Sequence, residues 1–350
     1  MKKEFRYKLV PQMEIYDNLG FEWLPFIMFS QSPNYRSKII NTDNKGFRFN
    51  SIPNKEEKSV LESLNKKENI LILGNSTAFG VGATSDDKTI SSYLTDKNTN
   101  YINLACRAHV GFQELINLYS NLHKLLNIKK IIIISGINDF YLSNIIPINY
   151  PDNFYFNSSF IENMNRSRIT KYHKYLKPFL DLFYPKVLNN ENLWKLNKVN
   201  LLKFVTSSKF RETFKSKEIY YSMKLEEKLN RNFILYKSLQ KFFDCEVNFY
   251  LQPVLQWSKE MSNEETNLFE YSNKYSSDIG KQAFSLFTSD NYNFLSSLLI
   301  KISKKYEINF YDINSYFKDT LKKNDWHFVD AVHCTDIGYK NISEFIKINN

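Results

Sequence analysis

Short apolar runs recur along the chain, each closed by turn-forming residues. Ile70 to Leu73, Lys130 to Ser135 with its four successive isoleucines, and Glu246 to Leu251 are too short for buried helices and rich in β-formers. That pattern suits strands covered on both faces of a parallel sheet. Tyr101 to Leu104 and Ile308 to Asp312 read as two further strands. Between them the spacing changes to that of helices. Gly111 to Leu126 places Phe112, Leu115, Leu118, Tyr119, Leu122 and Leu125 on one face, and Thr89 to Asp96, Phe233 to Phe243, Phe294 to Tyr306 and Thr335 to Ile348 are read likewise. Strand alternating with helix implies right-handed βαβ units. The expected fold class is α/β: a three-layer α/β/α, flavodoxin-like domain with a central parallel sheet.

The alternation begins near residue 70 and lapses twice. Residues 1–69 read as an irregular extension with aromatic anchors that packs on the core, turn-rich around Gly46 and polar from Asn54 to Asn69. Residues 70–350 form the main domain. Within it, 141–232 is expected to be a large basic, aromatic cap or lid, and 257–292 a second, smaller insertion. An amphipathic stripe from Leu193 to Val205 fits a helix packed on the parent domain better than one lying on lipid.

The net charge of +10 adds a partner question, because residues 161–230 hold fifteen Lys and Arg against seven Asp and Glu. An acidic glycan, an anionic lipid surface or an acidic carrier protein would suit that segment; a solvated face would look the same. Nucleic acid has only charge in its favour and is not expected. Cys106, Cys245 and Cys334 lack paired spacing, which argues against a disulfide framework or zinc site and for a reducing compartment. The apolar piece Phe21 to Phe29 is broken by Glu22 and Pro25, so neither a signal peptide nor a transmembrane segment is expected, and the expected location is cytoplasmic. Gly80-Val-Gly82 lacks the third glycine of a dinucleotide fingerprint and the Lys-Ser/Thr pair of a phosphate loop. No organic cofactor and no metal are expected.

Candidate chemistry gathers where the strands end. Ser76 follows the Ile70 strand in Gly74-Asn-Ser-Thr, at the sheet edge where open α/β folds bind ligands. A serine there is a nucleophile if a base reaches it, and otherwise an ordinary turn residue. Asp330 and His333 stand three apart on a loop before the last helix, where an oriented base or a helix cap would look alike. Asn138, in Ser135-Gly-Ile-Asn-Asp139, offers a side-chain amide to a developing oxyanion or makes an Asx-turn. The loop from Asn103 to Gly111 offers a backbone N–H to the same place. His109 beside Arg107 fits a pocket mouth or plain surface.

Gly74-Asn75-Ser76, the loop around Ala108, Gly136-Ile-Asn138-Asp and Asp330-x-x-His333 together resemble the four blocks of the SGNH (GDSL-like) hydrolase superfamily, in order. Asn41 to Arg48 is similar to the piece often found ahead of the serine block, and Leu251-Gln252-Pro253 adds to the likeness. The resemblance does not extend over Tyr141 to Asn232. It implies Ser76 as nucleophile, His333 as general base and acid, and Asp330 as the group that orients the imidazole. It implies an oxyanion hole of the Ser76 N–H, the Ala108 N–H and the Asn138 amide. The implied activity is a serine esterase acting on an O-acyl, especially O-acetyl, ester of a carbohydrate or glycan precursor through an acyl-enzyme. An O-acyltransferase with the same triad, a lipase, lysophospholipase or thioesterase, and an inactive glycan-binding protein are the alternatives. Two residues depart from the family pattern. Asn75 stands where the signature has Asp, and Ala108 where it has Gly, unless the loop is offset and Gly111 takes that place. Alanine keeps the N–H, but a positive φ would strain it.

Overall fold

The computed structural model describes residues 4–24, 26–50, 61, 68–125, 127–145, 154, 224–275 and 278–349. Among them are the strands β1 (Phe21–Leu24), β2 (Met28–Gln31), β3 (Glu68–Gly74), β4 (Thr99–Asn103), β5 (Ile128–Ser135), β6 (Glu246–Leu251) and β7 (Asn309–Asp312). β1 and β2 form an antiparallel hairpin, while β3 to β7 form an all-parallel sheet in the order β4-β3-β5-β6-β7. The chain steps outward from β3 to β4, then crosses back to β5 and continues through β6 and β7. Strand order therefore reverses between β3 and β5, and the crevice beyond their carboxyl ends is the binding position of such folds.

Alternation along each strand sorts its residues onto two faces. Leu71, Leu73, Ile131, Ile133, Val247 and Phe249 join one core with Leu115, Leu118, Phe233, Tyr236 and Leu299 from the helices Gly111–Asn121, Leu225–Phe243 and Ser289–Tyr306. Ile70, Ile72, Ile132, Ile134 and Tyr250 join the other with Ile90, Phe317, Tyr339 and Ile342 from Ile90–Leu94, Ile313–Thr320 and Asp336–Ile348. These are the three layers of an α/β/α fold. Each of the four isoleucines 131–134 is fully buried, worth roughly 1.5–3 kcal/mol per side chain.

Several boundaries lie elsewhere than expected. The helices expected from Phe233 and Phe294 start at Leu225 and Ser289, because their first turns are polar and carry Glu226, Glu227 and Asp290 at the positive end of the helix dipole. Both ends of the 141–232 segment belong to the core. Tyr141–Ile145 finish the helix Ile137–Ile145, and Leu225 and Leu229 are buried in the first core. The rest of that segment apart from Phe154, with the Leu193–Val205 stripe and most of the basic 161–230 stretch, lies outside the described residues. In the 257–292 stretch, Trp257 is buried, with rings of Phe140, Phe287 and Tyr292 at 6.1, 5.7 and 5.5 Å.

Residues 4–50 are more regular than their sequence suggests. Helices Glu4–Leu9 and Met13–Asn18 precede the hairpin, and Val10, Met13, Tyr16 and Leu19 enter the second core. Of the polar run 54–69, only Leu61 and the start of β3 are described.

Candidate active site

β3 ends at Gly74, whose φ is +152° and where a Cβ would come within 2.4 Å of the Ile134 carbonyl oxygen and 2.5 Å of Ala78 Cβ. Only glycine lets the chain turn so tightly against β5. Asn75 then caps the short helix Ser76–Phe79, its Oδ1 accepting the Thr77 N–H at 3.1 Å. Ser76 is the first residue of this helix, and its own N–H has no hydrogen-bond partner among the described residues.

The loop from Phe328 to Cys334 closes on itself by an antiparallel bridge between those two residues. Asp330 organises it: Oδ1 accepts the N–H groups of Val332 and His333 at 3.0 and 2.9 Å, and Oδ2 lies 2.8 Å from His333 Nδ1. His333 Nε2 lies 2.7 Å from Ser76 Oγ. An ionised carboxylate only accepts, so Nδ1 carries the imidazole proton and Nε2 is left as the acceptor facing the serine hydroxyl. Burial pushes the Asp330 pKa up, but the charge and hydrogen bond of His333, the Arg6 guanidinium and the Val332 N–H outweigh it and hold the carboxyl well below its usual range. Arg6 Nη2 lies 3.3 Å from Asp330 Oδ2.

The flanking strands bring the other two loops. Cys106 N–H donates to the Gly74 carbonyl at 3.2 Å, which ties the loop after β4 to the serine turn. Ala108 has φ +63°, a left-handed conformation costing roughly 1–2 kcal/mol in a non-glycine residue. Its N–H has no partner among the described residues. Gly111 N–H is committed to Asp139 Oδ2 at 2.8 Å, so of the two residues that could fill the glycine position of this block, Ala108 is the one with its N–H left over among the described residues. After β5, Asn138 Nδ2 donates one hydrogen to the His109 carbonyl at 2.7 Å and retains a second. Ser76, Ala108 and Asn138 thus follow three adjacent strands at the same sheet edge.

His109 does not line a pocket mouth. It is fully buried, its Nε2 2.9 Å from the Phe29 carbonyl and its ring edge-on to Phe29. Burial pulls its pKa down to about 4, so the ring is neutral. The hairpin that covers it was not apparent from sequence. Arg107 is turned the same way, with Nε on Gln31 at 2.8 Å and its guanidinium over the ring of Phe21.

Further residues support these loops. Asn75 Nδ2 donates to Gln252 Oε1, Gln252 Nε2 donates to Thr77 Oγ1 at 3.0 Å, and Thr77 Oγ1 donates to the Val332 carbonyl at 3.0 Å. From the other side, Gln12 donates to the Gly82 carbonyl, Tyr16 to those of Gly80 and Ala83, and the buried Arg48 to those of Phe79 and Gly80. The Arg48 charge is matched by Asp86 at 2.7 Å. Gln252 follows the end of β6, so the strand-end rule that singles out Ser76 would also have pointed to it. Arg6 and Thr77 carry no comparable signal.

No family model and no curated protein matches the chain. Among solved structures it is similar to a lipase/acylhydrolase from Enterococcus faecalis, at 8% identity over 80% of this chain and 93% of that one, with a TM-score of 0.41. It is likewise similar to a GDSL-like lipase from Bacteroides thetaiotaomicron (12%, 81% and 87%, 0.37) and to Est24, a carbohydrate acetylesterase from Sinorhizobium meliloti (10%, 81% and 100%, 0.37).

Proposed function

We propose that the protein is a serine esterase that cleaves an O-acyl ester through an acyl-enzyme on Ser76. The observation that carries this is the continuous relay from Ser76 Oγ through His333 to Asp330, with contacts of 2.7 and 2.8 Å. Serine is a weak nucleophile until a base takes its proton, and an imidazole fixed by a carboxylate is such a base.

In this reading the Ser76 proton passes to His333 Nε2 as Oγ bonds to the ester carbonyl carbon. The carbonyl oxygen becomes an oxyanion, within the set of donors formed by the N–H groups of Ser76 and Ala108 and the second Asn138 Nδ2 hydrogen. Asp330 stabilises the imidazolium. The tetrahedral species then collapses, the alcohol leaving with the proton from Nε2. Water, deprotonated by His333, attacks the acyl-enzyme in the same way and releases the carboxylic acid. The family resemblance favours an O-acetyl ester of a carbohydrate or glycan precursor as substrate.

The test is hydrolysis of p-nitrophenyl acetate, butyrate and octanoate by the wild type, Ser76→Ala and His333→Ala, with fluorophosphonate labelling of each. Turnover and labelling at Ser76, both falling at least about a thousandfold in the variants, support the proposal. A well-folded wild type that does neither overturns it.

A further inference from the structure

Asp330 Oδ2 is shared. Besides His333 Nδ1 it faces Arg6 Nη2, from a helix far away in sequence that belongs to none of the four sequence blocks. The guanidinium is held in place: Nη1 is bonded to Asp17 Oδ2 at 2.8 Å, and the same oxygen accepts the Tyr7 hydroxyl at 3.0 Å. The Arg6 side chain is 18% exposed and that of Asp330 16%. At such burial a charge pair is screened far less than on an open surface. Arg6 Nε is itself buried without a hydrogen-bond partner, so the fork spends its hydrogen bonds on the two carboxylates.

The other groups facing Asp330 are accounted for. His333 faces it from its own loop. Cys334 and Tyr339 are buried thiol and phenol whose pKa values burial pushes well up, and both stay neutral. Asp17 acts through Arg6. Arg6 is therefore the fixed positive charge at the outer oxygen of the carboxylate that must stabilise an imidazolium.

Resting on the esterase reading, we infer that Arg6 is a positioning residue of the relay: it fixes the Asp330 carboxylate and takes up part of its charge, so that the acid limb of ester turnover depends on the Arg6 charge. A carboxylate with no second partner would hold a proton on the imidazole more strongly.

The experiment is the pH profile of kcat/KM on p-nitrophenyl acetate for the wild type, Arg6→Gln, Arg6→Met and Arg6→Lys, with fluorophosphonate labelling of Ser76 and a melting curve for each. Removing the charge should move the acid limb up by about half to one pH unit, leaving the alkaline plateau within a few-fold. Arg6→Lys should keep the limb at its wild-type position. Either uncharged variant suffices if the other does not fold. An acid limb that stays in place, or an equal loss at every pH, overturns the inference while wild-type labelling keeps the esterase reading intact. A wild type that neither labels nor turns over ester removes both.

Discussion

Thr77 Oγ1 donates to the carbonyl of Val332 at 3.0 Å, joining the helix that starts at Ser76 to the loop that carries Asp330 and His333. The two residues are 255 apart in sequence, so Ser76 and His333 are held in register by one buried hydroxyl as well as by their own contact. Thr77→Val keeps the shape but leaves the Val332 carbonyl and the Gln252 amide without their partner, a loss of about 1–3 kcal/mol. Urea unfolding should show that loss, and kcat/KM should fall about tenfold. Thr77→Ser should restore both, and no change in Thr77→Val would show that the bridge is incidental.

Asn75 is buried and gives its amide hydrogen to Gln252 Oε1. Asn75→Asp, the residue of the family signature, would aim a carboxylate at that oxygen. Gln252 could relieve the clash only by turning Oε1 toward Thr77, whose hydroxyl would then abandon Val332. We expect a lower urea midpoint and lower activity at neutral pH, by about 1–3 kcal/mol in stability. The gap should narrow as acid protonates the new carboxyl. A variant as stable as wild type at neutral pH would contradict this account.

Ala108 occupies the left-handed region at φ +63°. Ala108→Gly removes a strain of roughly 1–2 kcal/mol and adds backbone entropy to the unfolded chain worth roughly 0.5–1 kcal/mol. The expected net change in unfolding free energy is therefore a gain of about 0 to 1.5 kcal/mol. Because the N–H survives, ester turnover should stay within a few-fold. A tenfold loss would mean that the methyl group itself contacts substrate.

The depressed pKa of Asp330 has a thermodynamic counterpart. Burial acts upward, but His333 and Arg6 win and the folded value lies below the ordinary one. The carboxylate therefore adds stability that is fully present above the unfolded pKa of about 3.9. That stability is lost as pH falls from there toward the folded pKa. The stability difference between wild type and Asp330→Asn should be largest near neutral pH and shrink below about pH 4. Melting curves from pH 3 to 7 check this; a constant difference would argue against the ion pairs. Ester turnover of Asp330→Asn should drop a hundredfold or more.

What the sequence discloses follows from the range of the forces involved. The aliphatic strands are legible because burial on both faces leaves only apolar residues, and Ile131–Ile134 is an extreme instance. Ser76, Asp330 and His333 stand out as polar residues at strand ends and in one loop, and they lie within hydrogen-bonding reach of one another. The β1–β2 hairpin is not legible, since strands of four residues separated by Pro25 leave no periodicity to read. The burial of His109 depends on a carbonyl 80 residues away, and no local pattern encodes it. The polar first turns of the helices at Leu225 and Ser289 look like loop for the same reason that they start helices well.

The side chains of Gln12, Tyr16 and Arg48 grip the backbone just past Ser76 from outside the sheet. An appendage can be shed without consequence to the machine it hangs on, but residues 4–50 stand in a different relation to this one. Without them the carbonyls of Phe79, Gly82 and Ala83 would lose their donors, that of Gly80 would keep only the Ala83 N–H, and His109 would lose its cover, while the backbone pairing among the five parallel strands remained. Folding and working would then come apart: a shortened chain would give the circular dichroism of an intact α/β protein and have no rigid seat for its serine.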